Sequence, residues 1–334
     1  MAKHVIRIGG DRQPALDIVS YGRRGPGHPD HFAPEQVAQI GRTVRRAPEV
    51  MVKVSGGGRT PGAVTAHLRY ISRRGELEVE TDDGERHQGR EVPAKLVEDC
   101  DLEIDAALDR WERTERGGRV PVPKLVHNIV LSMPAGTPPA RLLAASREFA
   151  REEFALQHRY AMVLHTDQDH PHVHLVVSAH RLEGGRLNIR KADLRRWREQ
   201  FARQLRRQGV EANATPAQIR GRLSDHQRDG VYRAALRGES RVESERARQA
   251  VAGDETRPVG RAASLGRIFA TADAVQHDWL TTGARLRGQG LETLAAEVEQ
   301  FRQSLSAPRT RHERALAAVR RAREPQLRRL EWAR

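Results

Sequence analysis

The stretch Tyr160-Ala-Met-Val-Leu-His165-Thr-Asp167-Gln-Asp169-His170-Pro-His172-Val-His174-Leu-Val-Val177 leaves the chain little choice of local fold. Two short apolar runs flank a polar, proline-bearing segment, which is the pattern of neighbouring strands joined by a tight connection. Successive side chains on a strand point to opposite faces, so Val173, Leu175 and Val177 turn into a core while His172 and His174 share the other side. The preceding strand ends at His165, and the connection folds it back beside the pair. Three imidazoles can thus meet at one point. A solvated sheet face accounts for one histidine, not for three at this spacing. Three protein donors with positions left open form the pattern of a catalytic metal site. Asp167 or Asp169 either orients an imidazole from behind or solvates the loop, whereas His170 reads as a bystander in the connection.

The rest of the chain gives a strand to Val50–Val54 that runs into Ser55-Gly-Gly-Gly58, then a helix after Pro61 with Val64, Leu68 and Ile71 on one stripe. Residues 75–90 read as a hairpin with Asp83-Gly84 at its tip, and residues 92–115 as helix-compatible. Leu125 to Ser132 is a further strand, followed by a helix from a Thr137 cap to about Gln157. A Gly184-Gly185 turn leads to a basic helix over residues 192–208 carrying Leu194, Trp197, Phe201 and Leu205. This order predicts an α+β fold, an antiparallel sheet with packed helices. Residues 1–49, rich in Gly, Pro, Arg and His, read as a basic flexible arm with a short strand at Val5–Ile8. Residues 223–260 read as a polar linker. Residues 261–334 read as a basic helical region, with Leu291, Leu294, Val298, Phe301 and Leu305 at heptad-like spacing and a continuation over Ala315–Arg323.

The charge balance narrows the partner. Lys+Arg number 58 against 44 Asp+Glu, a net +14 over 334 residues, which favours an anionic partner and nucleic acid first. Arginine-rich codon usage accounts for part of such an excess, so charge alone names no activity. The lone cysteine, Cys100, excludes a disulfide framework and a multi-cysteine zinc site. No run of about 18 apolar residues is present, and the first residues lack the apolar stretch of a secretory signal, so a cytoplasmic protein without a membrane span is expected. Imidazole donors suit Zn, Mn, Fe, Co or Ni. With phosphate oxygens completing the shell, a divalent Mg or Mn ion fits as well.

Paired histidines around a hydrophobe are the hallmark of the HUH endonucleases, and further motifs extend the likeness in colinear order over residues 50–222. Ser55-Gly-Gly-Gly58 with Leu68-Arg-Tyr70-Ile-Ser72-Arg-Arg-Gly75 resembles the first motif of conjugative relaxases. Val126-His127-Asn128-Ile-Val-Leu-Ser132-Met-Pro134-Ala-Gly136-Thr137 resembles their middle motif, and Leu187-Asn-Ile-Arg-Lys191 the stretch after the metal strand. The likeness is to the plasmid-mobilization and T-DNA border (VirD-type) branch, and it implies an HUH-type core of RRM or ferredoxin-like kind. It implies that Tyr70 attacks a phosphate of one DNA strand, leaving a 5′-phosphotyrosyl link and a free 3′-hydroxyl, so that the strand can later be rejoined. His172 and His174 would then hold metal, and His165 would serve as ligand or general base. That choice stays open, because Gln168 stands where some relatives carry an acidic ligand. Asp167 and His127 are candidate auxiliary residues. Ser55, Arg73, Arg74, Arg190 and Lys191 are candidate DNA contacts, with arginines able to hold phosphates beside the small Ala63 and Ala66.

The activity expected from the resemblance is metal-dependent, strand-specific nicking and rejoining that initiates conjugative transfer or mobilization. Single-stranded DNA at an origin of transfer would be the substrate. Accessory relaxosome proteins and a type IV coupling protein would be partners, with export alongside the DNA. A rolling-circle initiator takes its tyrosine after the metal strand. Tyr232 is the one later tyrosine, and it lies in the polar linker without a lysine one turn on. A three-histidine metallohydrolase acting on a small molecule would explain the metal strand but neither the charge nor the first motif.

Overall fold

The computed structural model describes residues 31–99, 123–222 and 262–308, with scattered positions between 234 and 248. The described residues fall into two compact units, one within Arg46–Ala214 and the other drawn from Met1–Arg45 and Thr215–Arg334.

The first unit is a six-stranded sheet. Its strands are β1 (Met51–Gly56), β2 (Val79–Thr81), β3 (Arg86–His87), β4 (Val126–Ser132), β5 (Tyr160–His165) and β6 (His172–Ser178). They lie in the order β1-β4-β6-β5-β2-β3, with each neighbouring pair antiparallel. The predicted hairpin at residues 75–90 is the β2–β3 pair. The sheet with its packed helices is the α+β architecture that the strand and helix order predicts.

Alternation along the strands divides this unit into two cores. On one face Val52, Ile129, Leu131, Met162, Val173, Leu175 and Val177 pack against Pro139–Phe154 and Lys191–Arg207. There Phe149 meets Trp197 edge-on with centroids 6.4 Å apart and Phe201 at 5.9 Å. Each such buried side chain contributes about 1.5–3 kcal/mol. On the other face Val126, Val163 and Val176 receive Pro61–Ile71 through Val64, Leu68 and Ile71, together with Leu96 and Val97 of Val92–Asp99. In chain order these four helices are α2 (Pro61–Ile71), α3 (Val92–Asp99), α4 (Pro139–Phe154) and α5 (Lys191–Arg207). Thr60 caps α2, its hydroxyl accepting from the Ala63 N–H at 3.2 Å, and Pro61 occupies the first turn. Thr137 does not cap α4 as expected. Its hydroxyl donates to the Pro134 carbonyl at 2.9 Å, and the helix starts two residues later behind Pro138. Residues 100–115, the rest of the expected acidic helix, lie outside the described residues.

Part of the stretch read as an arm, residues 31–45, belongs to the second unit. Pro34–Val44 is a helix, α1, that buries Ile40 and Val44 in a cluster with α6 (Ala262–Gly288) and α7 (Glu292–Ser304). The cluster contains Val275, Trp279, Val298 and Phe301, with Trp279 and Phe301 centroids 5.0 Å apart. The helix start is a local device: Gln36 turns back to accept from the Ala33 N–H at 2.8 Å, and Pro34 fits the first turn. Ile219 is buried in the same cluster, and its carbonyl accepts from Trp279 Nε1 at 2.9 Å. The sheet unit therefore ends at Ala214 rather than 222. The described part of the C-terminal region is helical to Ser304. The expected strand at Val5–Ile8, most of the linker at 223–260, and the helix at Ala315–Arg323 lie outside the described residues.

One carboxylate in the α5 layer conflicts with its surroundings. Glu199 Oε1 is buried with no hydrogen-bond partner, and burial pushes its pKa up to about 7 despite Arg195, Arg203 and Arg206 nearby. Because the folded value lies above the unfolded one, the folded chain holds a proton that the unfolded chain releases as pH rises from 4.5 to 7, so stability falls across that window. Urea midpoints of Glu199→Gln and the unsubstituted protein should coincide near pH 4.5. They should diverge in favour of the variant by pH 8.

Candidate functional site

The register of β5 and β6 brings the three histidines together. His165 pairs directly with His172, and His174 pairs with Val163. Since β6 turns Val173, Leu175 and Val177 into the α4/α5 core, His172 and His174 emerge on the α2 face. Ring centroids of His165 and His174 are 4.6 Å apart, and each lies 5.1 Å from His172. Their donor nitrogens fall within 4.8 Å of one another.

Hydrogen bonding orients the rings. His165 is 2% exposed and its Nε2–H donates to the Ile71 carbonyl at 2.6 Å, which ties the end of α2 to the end of β5. This sets the tautomer and leaves the Nδ1 lone pair facing a long 3.5 Å contact from Arg73 Nη2. His172 Nδ1–H donates to the His170 carbonyl at 3.0 Å, leaving Nε2 as the donor toward the cluster. His174 Nδ1 is buried with no partner within the protein. Burial, then the adjacent imidazoles of His165 and His172, push His174 down to about 3; burial also lowers His165. His174 and His165 are thus uncharged at neutral pH, the state in which imidazole binds metal. A buried unpartnered nitrogen and three converging imidazoles fit a divalent ion.

Tyr70 stands at the rim. It occupies the last turn of α2 and is 63% exposed. His67 lies one turn earlier, its ring 6.4 Å from that of Tyr70 and inclined by 29°. The same imidazole meets His174 edge-on at 6.3 Å. On the other side the Arg73 guanidinium sits 5.6 Å from the Tyr70 ring centre, pairs with Asp167 and approaches His165. Arg73 reaches this position because α2 stops abruptly: Arg73 and Arg74 take left-handed backbone angles, φ 52° and 61°, before Gly75 at 91°. A Cβ on Gly75 would lie 2.2 Å from the Gly89 backbone, so glycine is required there. A non-glycine residue in this region costs about 1–3 kcal/mol, and such residues gather at functional sites.

Not every expected residue joins the cluster. His127 shares a strand face with Ile129 and Leu131, so it lies on the opposite side of the sheet, where its Nε2–H donates to the Leu187 carbonyl at 3.2 Å. Arg190 and Lys191 begin α5, which also packs on that opposite face; the Arg190 N–H donates to Asp193 at 2.8 Å and starts the helix. Ser55 is engaged in the sheet, its hydroxyl donating to the Asn128 carbonyl at 3.2 Å beside an irregularity in β1. The glycines after it serve close packing: a Cβ on Gly57 would lie 2.3 Å from the Val126 oxygen, and one on Gly58 would lie 2.6 Å from Val64 Cγ2. Asp167 adjoins His165 Nδ1 at 3.8 Å, Arg74 is exposed at the helix end, and His170 accepts from the Ala135 N–H at 3.1 Å. His67 is absent from the sequence reading although the i, i+3 spacing to Tyr70 was available to find it. Tyr232 lies outside the described residues.

The geometry thus places a sheet-borne histidine triad beside a helix-borne tyrosine. Residues 70–210 match the family model described as relaxase, MobA/VirD2-like, nuclease domain, a span that begins at Tyr70 and contains all three histidines. Over that part the chain is similar to the VirD-type relaxases. It is 32% identical over 148 residues to the T-DNA border endonuclease VirD2 of Rhizobium rhizogenes and 31% over 148 residues to that of Agrobacterium fabrum. It is also 31% identical over 153 residues to VirD2 of Rhizobium radiobacter. Each match covers 42% of this chain and between 32% and 34% of the relative, so the chain spans about a third of the length of the curated relatives it matches.

Titration of the chelated protein with MnCl2 or ZnCl2 should raise its melting temperature. At a free ion concentration of about 100 Kd the gain is ~2.7 kcal/mol. His174→Ala should abolish the rise. A rise of equal size in that variant would remove the triad as the binding site.

Proposed function

We propose that this chain is a DNA relaxase: it cleaves one DNA strand by transesterification to Tyr70 and later reverses the step. The observation that carries the reading is the contact chain from Tyr70 through His67 to His174 and through Arg73 to His165, which joins an exposed phenol to a three-imidazole cluster. Similarity to T-DNA border endonucleases over the same residues supports it.

His165, His172 and His174 would hold a divalent ion, Mg or Mn with phosphate oxygens in the shell, which would supply positive charge to the nonbridging phosphate oxygens. The protein does the remainder. Tyr70 gives up its proton, its oxygen bonds to phosphorus, and the bond to the 3′ oxygen breaks. The departing 3′ oxygen takes up a proton, and the 5′ side stays on the tyrosine. Arg73 stands where charge develops on the phosphate, and the Asp167 carboxylate holds its guanidinium in place. His165 serves as ligand rather than base in this reading, since it is buried and its Nε2–H is committed to Ile71. Arg74, exposed at the end of α2, contacts the strand backbone. The substrate is single-stranded DNA at an origin of transfer, and the role is initiation of mobilization, with relaxosome proteins and a coupling protein as partners.

Tyr70→Phe should form no covalent adduct with a labelled single-stranded origin oligonucleotide, scored as a shifted band resistant to denaturant, while binding that oligonucleotide with unchanged affinity. A normal adduct yield from this variant would end the assignment. Anisotropy titrations across salt should give a linear fall of log K with log salt, at about 0.7 per phosphate neutralised on a single strand. Arg74→Ala should flatten that slope by roughly 0.7. An unchanged slope would take Arg74 out of the contact set.

A further inference from the structure

His67 is the one member of the cluster that neither the metal donor set nor the nucleophile accounts for. It lies on α2 one turn before Tyr70, half-buried, with its ring inclined 29° to the phenol at 6.4 Å and edge-on to His174 at 6.3 Å. Both separations fall inside the range in which aromatic rings attract each other. Its Nε2 is buried and has no hydrogen-bond partner within the protein. A nitrogen in that state costs folding free energy, and a plain apolar residue would serve this helix position better. The fold therefore gains nothing from an imidazole here, whereas the site gains a flat wedge between its two halves.

We propose that His67 is a positioning residue whose ring, held between Tyr70 and His174, fixes the phenol beside the histidine cluster. Tyr70 needs such a wedge because it is largely exposed at the end of a helix, where a side chain otherwise samples several rotamers. Arg73 bounds the ring on the other side, but a guanidinium at 5.6 Å on a flexible stem leaves the phenol free to swing outward. An imidazole on the same rigid helix removes that freedom. Its reference point is His174 in the central part of the sheet, so ring and cluster move as one body. This inference rests on the relaxase reading, and its test separates the two.

Adduct formation is followed in single turnovers at saturating oligonucleotide for the full chain, His67→Ala and His67→Phe, alongside oligonucleotide affinity and the Mn-induced rise in melting temperature. In parallel, fluorotyrosine is incorporated at the four tyrosines, and the Tyr70 resonance of the metal-free protein is assigned by its loss in Tyr70→Phe. His67→Ala should slow adduct formation about tenfold or more while leaving affinity and the Mn response unchanged, because a misplaced reactive group costs rate rather than binding. The same substitution should move and sharpen the Tyr70 resonance. His67→Phe, which keeps a flat ring, should restore most of the rate and the original resonance. An adduct rate in His67→Ala equal to that of the unsubstituted protein overturns the proposal and leaves the relaxase reading standing. So does a loss of the Mn response in step with the rate, which would make His67 part of the metal site. If the unsubstituted protein forms no adduct, the relaxase reading fails, and a Tyr70 resonance unmoved by His67→Ala then overturns the positioning role as well.

Discussion

The period-two alternation of β6 is the constraint on which the site depends. Val173, Leu175 and Val177 are buried against α4 and α5, and that burial fixes which face His172 and His174 occupy. A slip of one residue against β4 or β5 would expose three apolar side chains and drive both imidazoles into the aromatic layer around Phe149 and Trp197, so the core holds the register far more strongly than any interaction among the imidazoles could. The direct pairing of His165 with His172 then follows from the antiparallel ladder. The site is preorganised because it is the reverse side of a well-packed core.

The second support is the end of α2. The His165 Nε2–H bond to Ile71 uses a carbonyl that a helix terminus leaves without an intrahelical partner, so one contact satisfies the helix and orients the ring. The two left-handed arginines that follow turn the chain sharply enough for Arg73 to double back beneath Tyr70. Strain at Arg73 and Arg74, close packing at Gly75 and the bond to His165 are therefore parts of one device that brings a helix-borne phenol to a strand-borne cluster.

The legible parts of the sequence were those governed by short periodicities. The paired histidines and the stripe on α2 follow from residue spacing, and so do the positions of the strands. What could not be read depends on partners distant in the chain. The face of His127 is hidden until β4 is registered against β6; adjacency of strands suggested proximity to the cluster, yet His127 shares its side with Leu131, which pairs with Val173 in the opposite core. Helix α1 was obscured by the Gly, Pro and His residues before it, and its apolar stripe finds a purpose only against Trp279 and Phe301. The glycine run after Ser55 is required by Val126 and Val64 pressing on Gly57 and Gly58, neither of which its own spacing reveals. His67 stood in plain view but carried no pattern of its own, since its meaning arises from a ring on another element.

The electrostatics of the site divide the labour between two kinds of group. His174 and His165 are held neutral mainly by burial, so they add no fixed charge near pH 7 and present lone pairs instead. Fixed positive charge comes from the guanidiniums of Arg73 and Arg74 at the end of α2. In the proposed function an anionic strand would be attracted by these arginines, while the lone pairs of His165 and His174 are contested by protons only in acid. In that reading strand binding would respond to salt and loading of the cluster to acid. Neutral imidazoles such as His165 can lie close to the cationic Arg73 without strong repulsion. The same Arg73 nitrogen that pairs with Asp167 at the rim also makes the long contact to the His165 lone pair, so one guanidinium joins the rim to the cluster.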